Sequence, residues 1–169
     1  MRRLGIIVAA FGAVAVVVAI GASSASAGNA HFIKSATSAS LDGSTLVCSF
    51  KEAGLASGSV ETISCDANAL TTYECVNGGG KNPSASNKTT TSSRVGNSGT
   101  FGPADQNGNV VGSVRVSPPT AAQLGFSCPP GQTTTFVSVT YSNVTIADHT
   151  SGASASIPGT FSYTNPSAP

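Results

Sequence analysis

The sequence predicts an all-β fold, an antiparallel two-sheet β-sandwich of immunoglobulin-like type with about nine strands and two disulfides. Three observations carry that expectation. Apolar and polar residues alternate in run after run, the period of a strand with one buried face. No stretch shows the apolar stripe of a helix, so the crossovers that parallel strands require are lacking and pairing must be antiparallel. Four cysteines, an even set, follow an export-type N-terminus and read as two disulfides. A closed barrel is the rival architecture.

In chain order, residues 1–27 read as a signal peptide. Arg2 and Arg3 form a basic n-region, residues 4–22 are apolar and uncharged, and Ala25-Ser26-Ala27 fits an A-x-A cleavage site. The apolar run is nearly long enough for a retained membrane anchor, but the well-formed cleavage region favours removal. One sandwich domain is expected over residues 28–163, with 164–169 as a flexible tail. Strands are expected at "HFIKS", "SASL", "TLVCSFKE", "VETISC" and "ALTTYEC", with "KTTTSSRV" as a polar edge. The clearest strand is "GNVVGSVRVS", with Val110, Gly112, Val114 and Val116 on one face. Asn107-Gly108 before it is a hairpin signal, so its partner should be the strand around Phe101. "TAAQLGF" can make one short helical turn. "TTTFVSVTYSNVTIADHT" is a long β-prone run in which Ser142-Asn143 marks a bend between two strands. Pro158 confines "ASASIPGTFSY" to an edge or a bulge.

Leu46, Cys48 and Phe50 alternate onto one face, and Ile63 and Cys65 share another. Cysteines on the apolar faces of strands joined by a short loop can meet across a sheet or its core. That favours Cys48–Cys65 and, by elimination, Cys75–Cys128.

Composition narrows the function. Loss of Arg2 and Arg3 takes the formal charge from +1 to −1, and the remaining charges form no basic patch. Nucleic acid and, after signal cleavage, membrane are therefore not expected as partners. No enzymatic activity is expected. The histidines are His31 and His149 alone, Asp148 and His149 are strand neighbours that point to opposite faces, and "GNSG" is one residue short of G-x-S-x-G. A triad would need His149 to find a serine in space. No cofactor or metal is expected either: two separated histidines and paired cysteines leave no transition-metal set. "DQNGN" begins like a calcium loop, but its glycine is misplaced and Val116 stands where the bidentate acid belongs, so a turn explains it better. Sugar stacking would rest on Tyr73, Tyr141 and Tyr163, since Trp is absent. Asn87-Lys88-Thr89 and Asn143-Val144-Thr145 are glycosylation sequons.

The most unusual stretch is "ECVNGGGKNPSASNK", residues 74–88. Gly80-Lys81 resembles a phosphate loop, but Cys75 occupies the first glycine position and Asn82 the Ser/Thr position. Gly78, Gly79 and Gly80 could form an anion nest beside Lys81. A tethered turn accounts for the composition more simply, with glycines permitting positive φ, Pro83 fixing a turn and Cys75 tying the loop base to "SCPPGQ". A small-residue loop on a rigid scaffold suits recognition. Asn77, Gly78, Gly79, Gly80, Lys81, Asn82 and Pro83 are therefore the candidate recognition residues.

"SFKEAGL", "ECVNGGGKNPSASNK" and "SCPPGQTTTFVSVTYSNVTIAD" together resemble a family of small, functionally uncharacterised secreted proteins of filamentous Gram-positive bacteria. That resemblance implies a secreted, single-domain protein. "LDGSTLVCSFKEAGLASGSV" is similar to the N-terminal strands of the neocarzinostatin-type apoproteins, secreted immunoglobulin-like carriers of an enediyne chromophore. It implies the same fold class. The expected protein is a monomer, extracellular or associated with the cell envelope, that binds an extracellular protein, glycan or small molecule. One alternative is a small-molecule carrier with an apolar cleft lined by residues such as Phe126 or Phe136. The other is a hydrolase inhibitor presenting the tethered loop.

Overall fold

The computed structural model describes residues 28–78 and 87–168. Residues 1–27, expected as a signal peptide, and the recognition candidates Gly79, Gly80, Lys81, Asn82 and Pro83 lie outside them. Nine strands are present among the described residues: β1 His31–Phe32, β2 Ser38–Asp42, β3 Thr45–Ala53, β4 Glu61–Asn77, β5 Lys88–Phe101, β6 Val110–Val116, β7 Gln132–Asp148, β8 Ser154–Ile157 and β9 Phe161–Thr164. They form the expected antiparallel two-sheet sandwich, an arrangement compatible with an immunoglobulin-like fold. In sheet A, β3 is flanked by β6 on one edge and by β1 and β2 on the other. Sheet B runs β5-β4-β7, with β8 and β9 sharing the far edge of β7.

Strand alternation builds the core. Leu46, Cys48 and Phe50 of β3 are buried, as are Ile63, Cys65, Ala67 and Ala69 of β4. The Cys48–Cys65 disulfide joins the two sheets at the centre, and both residues are fully buried. Phe50 meets Phe32 and Phe101 edge-on. The hydroxyl of fully buried Tyr141 donates to the Ser44 carbonyl at 2.8 Å, with the Val116 carbonyl 3.4 Å away. Burial pushes this phenol well above its usual range.

Several expected strands are fused. "VETISC" and "ALTTYEC" are one 17-residue strand, and "KTTTSSRV" runs on through Phe101 as one 14-residue edge strand. The Ser142-Asn143 bend is a bulge inside β7: Asn143 adopts φ 51° and the register slips opposite Asp66 and Asn68. A bulge takes up the extra residue without ending the ladder, so the strand continues.

The Asn107-Gly108 hairpin does not form, which corrects that expectation. β5 pairs with β4 and β6 with β3, so the connection between them crosses from sheet B to sheet A. Asp105 explains why. Its Oδ1 accepts from the backbone N–H groups of Asn107 at 2.8 Å and Asn109 at 2.9 Å, closing a local turn. The Gly108 carbonyl accepts from the Leu55 N–H at 3.1 Å, so the turn docks on the β3–β4 connection. Gly108 has φ +70°, and a Cβ there would overlap the Leu55 carbonyl.

"TAAQLGF" contains the 3-10 turn Ala122–Leu124, and a second one lies at Lys34–Ala36. The segment expected as a tail starts inside β9. Asn165 then donates from its backbone N–H to the Val137 carbonyl and from Nδ2 to the Phe136 carbonyl, each at 2.8 Å.

Sheet B is longer than sheet A. Tyr141 marks where sheet A stops, because its hydroxyl meets the β2–β3 turn at Ser44 and the last residue of β6. Beyond that level, the connection 117–131 lies against β4, with Pro119 and Phe126 at Tyr73 and Cys128 bonded to Cys75.

Candidate functional site

The overhanging end of sheet B carries the loop that the sequence singles out. β4 ends at Asn77 and β5, its antiparallel partner, begins at Lys88, so the singled-out stretch connects the ends of two of the longest strands, and its residues 79–86 lie outside the described residues. Its base is fixed in three ways. Cys75 is bonded to Cys128, with the Cα atoms 5.6 Å apart. Tyr73 donates its hydroxyl to the Pro119 carbonyl at 2.9 Å, and its ring packs on Phe126 and Phe136. Lys88 pairs with the buried Glu74 carboxylate at 3.0 Å. Both disulfides thus join the expected cysteines. Of the recognition candidates, the structure places Asn77 at the end of β4 and Gly78 in the turn that follows.

A second polar constellation lies on the outer face of sheet B, at the opposite end of the strands. His149 follows β7, and its Nε2 lies 2.9 Å from Ser64 Oγ on β4. Ser64 Oγ is also 3.3 Å from Asp66 Oδ2. Across the sheet, Arg94 of β5 donates to Thr145 Oγ1 at 3.0 Å. Gly96 stands opposite Asp66 in the ladder, and a Cβ there would overlap the Asp66 carboxylate. A depression of 520 Å³ here is bordered by Ser64, Asp66, Arg94, Ser98 and His149.

This grouping resembles a catalytic triad only in composition. In a triad the imidazole sits between carboxylate and hydroxyl, and its second nitrogen is held by the acid. Here the hydroxyl sits in the middle. The single Ser64 proton can go to Asp66 or to His149, and among the described residues no carboxylate is hydrogen-bonded to the imidazole. Asp148 is buried on the core face, as the alternation of strand neighbours predicts. Ser64 and Asp66 are missing from the sequence expectations, because their meeting with His149 depends on the β4–β7 register.

The other motifs resolve locally. The hydrogen bond from the Asn109 backbone leads those that hold the Asp105 carboxyl below its usual range. Among the described residues no group of three or more His, Cys, Asp or Glu is placed to hold a metal ion, and no helix is long and apolar enough to cross a membrane. Phe126 and Phe136, named as possible walls of an apolar cleft, both pack on Tyr73, and Phe136 stacks on Tyr163. No protein-family model, curated protein or solved structure matches this chain.

Proposed function

We propose that this is a secreted, non-catalytic recognition domain that binds an extracellular or cell-envelope partner through the tip of its β4–β5 hairpin, with the 128–132 segment beside it. One observation supports this reading: a disulfide, an aromatic cluster and an ion pair fasten the overhanging ends of β4 and β5, which the glycine-rich stretch connects in sequence. A rigid platform beneath a small-residue loop lowers the ordering cost of binding. The export-type leader and the two disulfides support an extracellular location. The carrier alternative draws less support, since Phe126 and Phe136 pack on their neighbours. A hydrolase inhibitor would use the same hairpin tip.

The test is capture of partners from native culture fluid and envelope fractions. Replacing residues 78–83 by a short Gly-Ser linker should abolish capture, while Ser64→Ala should leave it intact. The reverse pattern would move the site to the Ser64–His149 depression.

A further inference from the structure

At the end of the sandwich opposite the hairpin tip, three carboxyl groups lie buried together. Glu52 projects inward from β3, Glu61 opens β4, and Asp148 closes β7, so the group spans both sheets. Their exposures are 0%, 2% and 2%. Each has one oxygen served by a donor: Ser151 Oγ donates to Glu52 Oε1 at 2.9 Å, Ser59 Oγ to Glu61 Oε1 at 2.5 Å, and the Thr150 N–H to Asp148 Oδ1 at 2.8 Å. The remaining oxygens, Glu52 Oε2, Glu61 Oε2 and Asp148 Oδ2, are buried and receive no hydrogen bond from any other type of group. Asp148 stands within hydrogen-bonding reach of both glutamates.

Among the described residues no ion pair joins a cation to this chain of acids. Across the ladder from Glu52 lie Phe32 on β1 and Val110 on β6, and opposite Glu61 lies Phe101 on β5. Lys51 belongs to the outward face of β3, where its charge acts on Asp105. His149 is turned to Ser64, and His31 Nδ1 lies at the Asn29 carbonyl. Three carboxylates so placed cannot all ionise without a heavy penalty, because burial disfavours each charge and the like charges repel. A proton on each glutamate removes the repulsion, leaves Asp148 as the one buried charge and offers a donor to its unserved Oδ2.

We propose that Glu52, Asp148 and Glu61 are a proton-sharing latch that fastens the two sheets at the β3–β4 end in mildly acidic surroundings and loosens as the medium turns alkaline. The direction of titration agrees. Burial, opposed by the Ser151 bond and reinforced by the Asp148 and Glu61 charges, raises the Glu52 carboxyl from 4.5 to about 7. Burial raises Glu61 too, against the bond from Ser59 and with the Asp148 charge. For Asp148 burial alone would act upward, but the hydrogen bonds from Ser151, Thr150 and Glu61 outweigh it and hold the carboxyl low. A raised carboxyl binds more protons folded than unfolded, so stability is highest below pH 4.5 and falls as pH rises through about 7. The lowered Asp148 works in the other direction, losing its contribution only in stronger acid.

Urea unfolding of the exported protein at pH 5, 6.5 and 8 tests this. The folding equilibrium constant of the wild type should fall on the order of a hundredfold from pH 5 to pH 8. Glu52→Gln replaces the shared proton by an amide N–H that does not titrate. It should flatten most of that slope and be the more stable protein at pH 8. A wild-type stability that is level or rises over the same range overturns the latch, as does a Glu52→Gln profile as steep as the wild type. Carbon-detected NMR of the wild type gives an answer even if the variant does not fold. A Glu52 carboxyl carbon titrating near pH 7 supports the latch, and one titrating near 4.5 contradicts it.

Discussion

The two ends of the sandwich are fastened by different chemistry. At the hairpin end, where sheet A has stopped, the cover over sheet B is held by the Cys75–Cys128 bond and by the rings of Tyr73, Phe126 and Phe136. At the other end both sheets are present, and Glu52, Asp148 and Glu61 lie buried together between them beside the Phe50–Phe101 contact. A covalent staple is indifferent to pH and yields to reduction. The carboxyl latch is indifferent to reduction and yields to base. Between them, Cys48–Cys65 ties the sheets through a fully buried centre. The difference separates a disulfide-stapled end, the proposed recognition platform, from an end whose proposed firmness follows the surroundings.

The most damaging way to erase the comparison is to remove what both ends share. Cys48→Ala with Cys65→Ala should destabilise the whole protein by about 5 kcal/mol: roughly 3 from loop closure and on the order of 1 for each buried sulfur. Chemical denaturation read by far-UV circular dichroism would show it. Closure entropy alone ranks Cys75–Cys128 higher, at about 4 kcal/mol, because its loop is longer. Its loss is expected to cost less globally, since residues 117–131 can detach while the sheets persist. For Cys75→Ser with Cys128→Ser we therefore expect a smaller fall in melting temperature, with protection from proteolysis lost first within 117–131. Tyr141→Phe removes the bond to the Ser44 carbonyl and should cost about 1–2 kcal/mol at every pH, sharpening the contrast with the pH-dependent end. The smallest effect belongs to Arg115→Ala. Its partner Asp42 is 69% exposed, so the loss should be within about 0.5 kcal/mol and vanish in high salt.

Much of this was legible in the sequence because strand parity is a local rule. Leu46, Cys48 and Phe50 fix the inner face of β3, and the same count puts Glu52 inside. Ile63 and Cys65 do the same for Glu61. What parity could not show is that Glu52, Glu61 and Asp148 meet, since that depends on sheet packing. The hairpin expectation failed at Asn107-Gly108 because Asp105 captures the backbone N–H groups and turns the chain toward the other sheet. The break expected within β7 failed because a bulge at Asn143 absorbs the extra residue, and the one expected within β4 failed because β4 pairs without a shift along β5 through Asp66 and Asn68. Ser64 and His149 are 85 residues apart, and their contact follows only from the β4–β7 register.

Hydrogen exchange, corrected for the intrinsic rate at each pH, tests the separation of the two ends most directly. It would be measured on the oxidised wild type at pH 5 and pH 8, and on the Cys75→Ser, Cys128→Ser protein at pH 5. Alkali should strip protection from residues 59–63 and 148–153 while leaving 71–77 and 132–138 unchanged. Loss of the disulfide should do the opposite. If both perturbations loosen both ends together, or if alkali leaves 59–63 and 148–153 as protected as at pH 5, the two ends are not independently fastened and the account is wrong.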